Sequence, residues 1–509
     1  MEGSRAEAIA LPVARPAFAA QELVWPLLIA LSTVAAIAPL WTSELLPYQD
    51  APEHIAAVRI LADFHAPGPA FDKWFEIDLR RLEYLGFYLP AAAIAKITGA
   101  DAAVRIMLSL IAAATSAAFW MFLGSFGRDR RLAVFAPAVF HTVPLYLGFF
   151  NFIESIPLAL VLVALTEREL RGASLRRAAW IAAGGAALLW LHPSGVAFAL
   201  AAAFILGVTS AEPWRNKARA LAPWLPAILL LGAWAVHALA ARDGPGAAAR
   251  TLPRWLGPKD QVLGLLRYGN VLAAHGDEIF VLAIAALFVA TIAVRPRPRL
   301  DRQWRLPLLA VLSLVAYLAA PYDMGYMGYI HLRALPFLAL LVIASPSIAP
   351  GPATSAILAA VVALQIAFQT SVAATYRAFD REAQVTELHQ VLHAAEPGKR
   401  LIAIVSSTES HLFQYQSFLH FASYYEIFRG GRARYNFAET PWTPVRFRQG
   451  SEPVPLPRSW ELRPHELDIA RAVSDEDYVL VRTPGPEPQG FAMVAHAGRW
   501  SLYAPAARR

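Results

Sequence analysis

Apolar residues in this chain come in long blocks rather than at strand or surface-helix spacing. The first block runs from 23 to about 41. Others cover about 103–123, 132–147, 152–166, 178–191, 194–209, 221–240, 279–294, 306–320, 334–348 and 355–372. A helix crossing a bilayer needs about 17–25 mostly apolar residues, so the pattern predicts about eleven spans. After the first block comes Trp41-Thr42-Ser43-Glu44 rather than a small-residue cleavage site, which reads as a retained anchor and not a signal peptide. Beyond residue 373 the pattern changes. Val385, Leu388, Val391 and Leu392 have the spacing of an amphipathic helix. Short β-rich runs at 401–405, 478–481 and 491–495, bounded by Gly and Pro, read as strands. The stretch 436–465 is rich in Pro and lacks periodicity, as expected of a long ordered loop or lid. The expected fold is mostly α: a polytopic helical membrane domain over 22–373, with a C-terminal extracytoplasmic α/β domain over 374–509.

Composition agrees. The chain is 57% hydrophobic and only 16% charged, against about 25% charged in soluble domains. This excludes a disordered chain and argues against a single soluble enzyme. The absence of Cys excludes disulfides, Fe–S clusters and thiol catalysis. The net charge of +7 does not point to nucleic acid, because the Arg residues sit in short clusters between apolar blocks rather than in a basic stripe.

Those clusters orient the chain, because inner loops of membrane proteins are enriched in Lys and Arg. With the N-terminus (1–21) inside, inner loops contain Arg128, Arg130 and Arg131, then Arg168, Arg171, Arg176 and Arg177. Arg215, Lys217 and Arg219 follow, and finally Arg295, Arg297, Arg299, Arg302 and Arg305. Reading 178–209 as one helix would put the last two clusters outside, so a hairpin at His192-Pro193 is preferred. Residues 43–102, 242–277, 321–333 and everything after about 373 then face outward. The aromatic segment 84–98 is expected to lie in the outer interface. The expected location is a bacterial inner membrane, N-terminus cytoplasmic and C-terminal domain outside.

Charge inside a membrane is expensive and usually functional. Here Arg105, His141, Glu154, His192, His237 and Arg333 fall in or near the outer halves of their spans, with uncharged Gln365 the exception. A transporter needs polar groups near the midplane. Polar groups gathered at one surface suit chemistry at the outer interface on a lipid-delivered substrate.

Leu46-Pro47-Tyr48-Gln49-Asp50-Ala51-Pro52-Glu53-His54 follows the first span. Pro52 suits a first helical turn, and residues three and four apart share a helix face. Asp50 can therefore act as a general base with Glu53 and His54 beside it. Equally, Asp at the N-cap with Glu three residues on is a variant capping box, which needs no catalysis. Glu154, at the outer end of its span, is a second catalytic candidate, or else a hydrogen-bonded structural carboxylate. Arg333 opens an apolar helix, where its charge opposes the macrodipole. It matches a phosphate, with His331 nearby, or snorkels to lipid headgroups.

The order of these parts resembles the GT-C superfamily of polytopic glycosyltransferases. An acid follows the first span (Asp50), then come an interfacial helix (Tyr84-Leu85-Gly86-Phe87-Tyr88-Leu89-Pro90) and a Gly99-to-Ile106 step. An Arg begins a late span in His331-Leu332-Arg333-Ala334-Leu335-Pro336-Phe337, and an extracytoplasmic α/β domain closes the chain. The family's two adjacent acids are not matched, since Ala51 and Pro52 separate Asp50 from Glu53. The resemblance implies a sugar donor on a polyprenyl phosphate, an outward-facing site, and a glycan, lipid or protein acceptor. Asp50 would be the base or a ligand of a divalent cation such as Mg or Mn. The rivals are a non-catalytic membrane scaffold or binding subunit and a lipid-linked-glycan transporter.

Overall fold

Six helices in a computed structural model are long and apolar enough to cross a membrane: Leu23–Trp41, Ala100–Ser125, Phe150–Arg171, Trp214–Val236, Gly276–Ala293 and Pro352–Ala383. The structure describes residues 17–80, 83–240, 253–273, 276–294, 304–324, 327–440, 443–457, 460–506. The expected inner cluster Arg295, Arg297, Arg299 and Arg302, the start of the N-terminal segment and the side chain of His237 lie outside the described residues. Shorter helices occupy four other apolar blocks: Leu175–Leu191, Pro193–Thr209, Arg305–Ala319 and Ile330–Ala344. The chain breaks at His192-Pro193, as a hairpin there requires.

The block at 132–147 takes another form. Arg130–Val139 is a 3-10 helix of 10 residues, followed by a short α-helix Val143–Tyr146. Runs of 3-10 helix rarely exceed 3–4 residues, because their hydrogen bonds are poorly aligned. This one is started by Asp129, whose carboxylate accepts the Arg131 N–H at 2.9 Å. It is surrounded by protein, with Leu132 to Pro137 all buried. The whole stretch 130–146 runs alongside Pro352–Ala383, from Ser355, which accepts from Arg131 Nη1, to Tyr376, whose hydroxyl is hydrogen-bonded to that of Tyr146. At 1.5 Å per residue that path is roughly 30 Å.

Irregular backbone at membrane depth survives only where neighbours satisfy it. Gln365 does so: its Nε2 donates to the Val134 carbonyl at 2.6 Å, and its Oε1 accepts the Ser32 hydroxyl at 2.9 Å. The one polar residue that departed from the surface pattern thus serves backbone packing.

The long Pro352–Ala383 helix runs without interruption across residue 373 and ends at Gln384 in the left-handed region. A sheet region follows. Its strand order is Arg432–Ala433, Arg400–Val405, Tyr478–Arg482, Trp500–Pro505, Phe491–Ala497. The first three run parallel, and the last two join antiparallel. Val385, Leu388, Val391 and Leu392 are all buried on helix Val385–His393, the face their spacing predicts. Strand Arg400–Val405 is apolar on both faces. Leu401, Ala403 and Val405 join the core that continues into the membrane helices, while Ile402 and Ile404 pack with Val479, Val481, Trp460 and Tyr503 on the other side.

The loop after the first apolar helix is tied into this region. Phe75–Ile77 pairs antiparallel with Val445–Phe447, so the Pro-rich stretch contributes a strand to the loop's own sheet. Trp74 Nε1 donates to the Gly398 carbonyl at 3.1 Å, and Arg59 Nη1 to that of Ile427 at 2.7 Å. These ties dock the C-terminal region against the helix and loop that follow Asp50.

Candidate active site

The helix Ala51–Ala62 begins immediately after Asp50, with Pro52 in its first turn as the sequence requires. Asp50 stands at the N-cap, yet its side chain makes no capping hydrogen bond. Only its backbone carbonyl serves the helix, accepting the His54 N–H at 3.2 Å. The capping box is therefore not formed, and the carboxylate is turned elsewhere.

Glu53 and His54 are both buried. The Glu53 carboxylate accepts the Ser423 hydroxyl on one oxygen and the Phe437 N–H at 2.7 Å on the other. Burial pushes its pKa up to about 7, against the lowering influence of His420 and of those two hydrogen bonds. His54 Nε2 donates to the Gly148 carbonyl at 2.7 Å, leaving Nδ1 to accept from Tyr88 at 2.8 Å. Burial holds its pKa down at about 4, with Asp50 opposing, so the ring is neutral at pH 7. Glu53 thus fastens the C-terminal region to this helix, and His54 fastens the Gly148 turn.

That turn is the wall behind Asp50. Gly148 has φ +87°, a conformation that favours glycine. A Cβ there would sit 2.6 Å from Asp50 Cβ. Beneath lies a buried aromatic floor, in which the Tyr376 hydroxyl is 3.0 Å from those of both Tyr48 and Tyr146, donating to one and accepting from the other.

The sequence gives no signal for the residues that face the Asp50 carboxylate. His420 Nε2 lies 3.4 Å from Asp50 Oδ1, and His420 Nδ1 lies 2.8 Å from Glu461 Oε2. Side-chain exposures are 18% for Asp50, 3% for His420 and 10% for Glu461. Gln49 Nε2 also donates to Oδ1, at 3.2 Å. Oδ2 has no hydrogen bond among the described residues, which leaves it as the open atom of the group. His420 stacks on Tyr435 at 4.5 Å, and both have positive φ, +62° and +54°. Such non-glycine backbones cost about 1–3 kcal/mol each and cluster at functional sites. Burial works against charge on His420, but Glu461 and Asp50 outweigh it and hold its pKa well above the ordinary value.

Arg333 packs on the next residue of the Gly148 turn. It lies in the 3-10 turn Ile330–Ala334 that leads into helix Leu335–Ala344. Its guanidinium sits over the Phe149 ring at 5.3 Å, next in sequence to the glycine behind Asp50. Arg333 has no ion pair among the described residues, and its buried Nε has no hydrogen-bond partner. His331 is buried between the rings of Tyr317 and Tyr322, its Nδ1 also without a partner. Glu154 lies one turn along the Phe150–Arg171 helix from Phe150. Its Oε2 is buried and has no hydrogen-bond partner, and it forms no ion pair among the described residues. The structure therefore sets Asp50 against Gly148 and Arg333 over the neighbouring Phe149 ring, and engages Glu53 and His54 in hydrogen bonds. Glu154 stays within its helix bundle.

A divalent cation does not fit here. No group of three or more metal-ligating side chains forms among the described residues. The oxygen of Asp50 nearest other polar groups faces N–H donors rather than further acceptors.

The fold is similar to that of mycobacterial arabinofuranosyltransferase AftD. That protein is a GT-C glycosyltransferase determined by single-particle cryo-EM in a mutant form. The match has a TM-score of 0.52 at 16% identity, and it covers 94% of this chain and 41% of AftD. The chain thus spans less than half the length of AftD. No protein-family model and no curated protein matches the sequence. The likeness to AftD is therefore one of fold, and at 94% of this chain it takes in both the long apolar helices and the C-terminal sheet region.

Proposed function

We propose that this protein is a membrane glycosyltransferase that moves a sugar from a polyprenyl-phosphate donor to a glycan, lipid or protein acceptor. The likeness to AftD makes an arabinofuranosyl residue the first sugar to try. The work takes place at the outer face of a bacterial inner membrane, with the N-terminus cytoplasmic and the C-terminal region outside. Asp50 Oδ2 removes the proton from the acceptor hydroxyl. The freed oxygen attacks the anomeric carbon as the bond to the lipid phosphate breaks, and the phosphate leaves with the electron pair. One displacement inverts the anomeric centre. Arg333, with His331 beside it, binds the lipid phosphate through its guanidinium, whose Nε has no partner within the protein.

The single observation that carries this reading is that one turn, Gly148-Phe149, packs an Asp50 carboxylate with an open oxygen on one residue and the Arg333 guanidinium, its Nε without a partner, on the next. A scaffold has no need of an Arg left without an anion. A transporter needs a polar path at the midplane, whereas Gln365 is spent on Ser32 and Val134. General-base help is worth about 10²–10⁴-fold, and stabilising the leaving phosphate can contribute a similar factor. The test is transfer from a polyprenyl-phosphate-linked sugar by purified Asp50→Asn. A loss of about 10²-fold or more is expected; wild-type turnover would remove the base assignment.

A further inference from the structure

Three stretches far apart in sequence meet at Asp50: the first outer loop, the segment before helix Ser423–Arg429, and the Trp460–Leu462 turn. Their meeting point is His420. A neutral imidazole carries one N–H, and its other nitrogen can only accept. Here both nitrogens face carboxylate oxygens, Asp50 Oδ1 at 3.4 Å and Glu461 Oε2 at 2.8 Å. Only the doubly protonated ring gives each of them a donor.

We propose that His420 is a positioning residue held as an imidazolium clamp between Glu461 and Asp50, fixing Oδ1 so that Oδ2 stays aimed at the acceptor. This inference rests on Asp50 being the base. Glu461 supplies the charge that keeps the buried ring protonated, and Tyr435 stacks flat against it, with interplanar angle 13°. The strained backbones of His420 and Tyr435 hold both rings in register. The remaining groups that face His420 are the Glu53 carboxylate, the neutral His54 ring and the edge of Phe437. The clamp makes the C-terminal region part of the active site rather than an appendage to it. A chain whose C-terminal segments are not docked has Asp50 but not its orientation.

The sign of the pH dependence follows. A histidine whose folded pKa is raised contributes stability fully below its ordinary value, and loses it as pH rises through the folded value. Both the docking of the C-terminal region and the aim of Asp50 should weaken on that alkaline limb.

The experiment uses the full-length protein in detergent, with Tm and transfer rate measured across neutral to alkaline pH. Glu461→Gln keeps the side-chain volume and removes the charge. It should move the alkaline fall in Tm to lower pH by about one unit or more. His420→Gln should abolish the part of that fall lying above the Glu53 titration and lower kcat roughly 10- to 100-fold, with the donor KM nearly unchanged. An alkaline limb that stays put in Glu461→Gln, or a wild-type kcat in His420→Gln, overturns the clamp. Wild-type turnover in Asp50→Asn overturns the base assignment instead, while the Tm limb continues to report the clamp by itself.

Discussion

Gly148→Ala perturbs the candidate site without touching a titratable group. Gly148 sits at φ +87°, where an alanine is disfavoured by about 1–2 kcal/mol. The added methyl would stand 2.6 Å from Asp50 Cβ and 3.1 Å from both Asp50 Cα and N, while ordinary contact begins at 3.4 Å. The shortfall to the Cβ is 3.4 − 2.6, about 0.8 Å. Neither side can yield easily. The Gln49 N–H is held by the Tyr146 carbonyl at 2.9 Å, and the Gly148 carbonyl is held by His54 at 2.7 Å. Overpacking of this kind costs about 1–3 kcal/mol, so the two terms together destabilise by roughly 2–5 kcal/mol. Asp50 is the nearest thing to move, and a displacement near 1 Å can cost about 10²-fold in rate. The assay is Tm in detergent together with kcat for sugar transfer. Gly232→Ala is the control, since its methyl meets nothing within 4 Å on an exposed helix face. Gly148→Ala should lower Tm and reduce kcat about 10²-fold, with Gly232→Ala close to wild type in both. A Gly148→Ala protein with wild-type kcat would refute the claim that this turn sets the position of Asp50.

Other outcomes follow from the same geometry. Arg333→Lys replaces a planar fork by a point charge and should raise the KM for a polyprenyl-phosphate donor about 10-fold, or about 1.4 kcal/mol; an unchanged KM removes Arg333 from phosphate binding. Gln365→Leu takes its donor from the Val134 carbonyl, whose i+3 residue in the 3-10 segment is Pro137 and offers no N–H, and should destabilise by about 1–3 kcal/mol in thermal unfolding. Glu53, raised from 4.5 to about 7, favours its protonated form in the folded state, so its contribution is full below pH 4.5 and is lost as pH rises through 7. That shift is worth about 3 kcal/mol. Wild-type Tm should therefore fall between pH 5 and 8 more steeply than that of Glu53→Gln, and equal slopes would contradict the burial of this carboxylate.

Block length and apolar content specified the membrane character, the basic clusters preferred a hairpin at His192-Pro193, and apolar spacing picked out an amphipathic helix within 377–395. Each depends on solvent transfer or local spacing, which a linear sequence records directly. The same is true of the helix that starts after Asp50, because Pro52 acts on its own backbone. The 3-10 segment Arg130–Val139 was not legible, since its composition matches a span and its conformation depends on the donor that Gln365 supplies from 231 residues away. Sequence could not choose between Asp50 as cap and Asp50 as reactive group either. Only tertiary structure turned that side chain out of the helix, because Gly148 presses on its backbone while His420 and Glu461 arrive from the C-terminal region. Glu53 and His54 had the right spacing to join it, but folding spent both on packing. Chemistry-bearing residues are visible in a sequence as types. Their protonation, exposure and aim are set by neighbours as far as 384 positions distant.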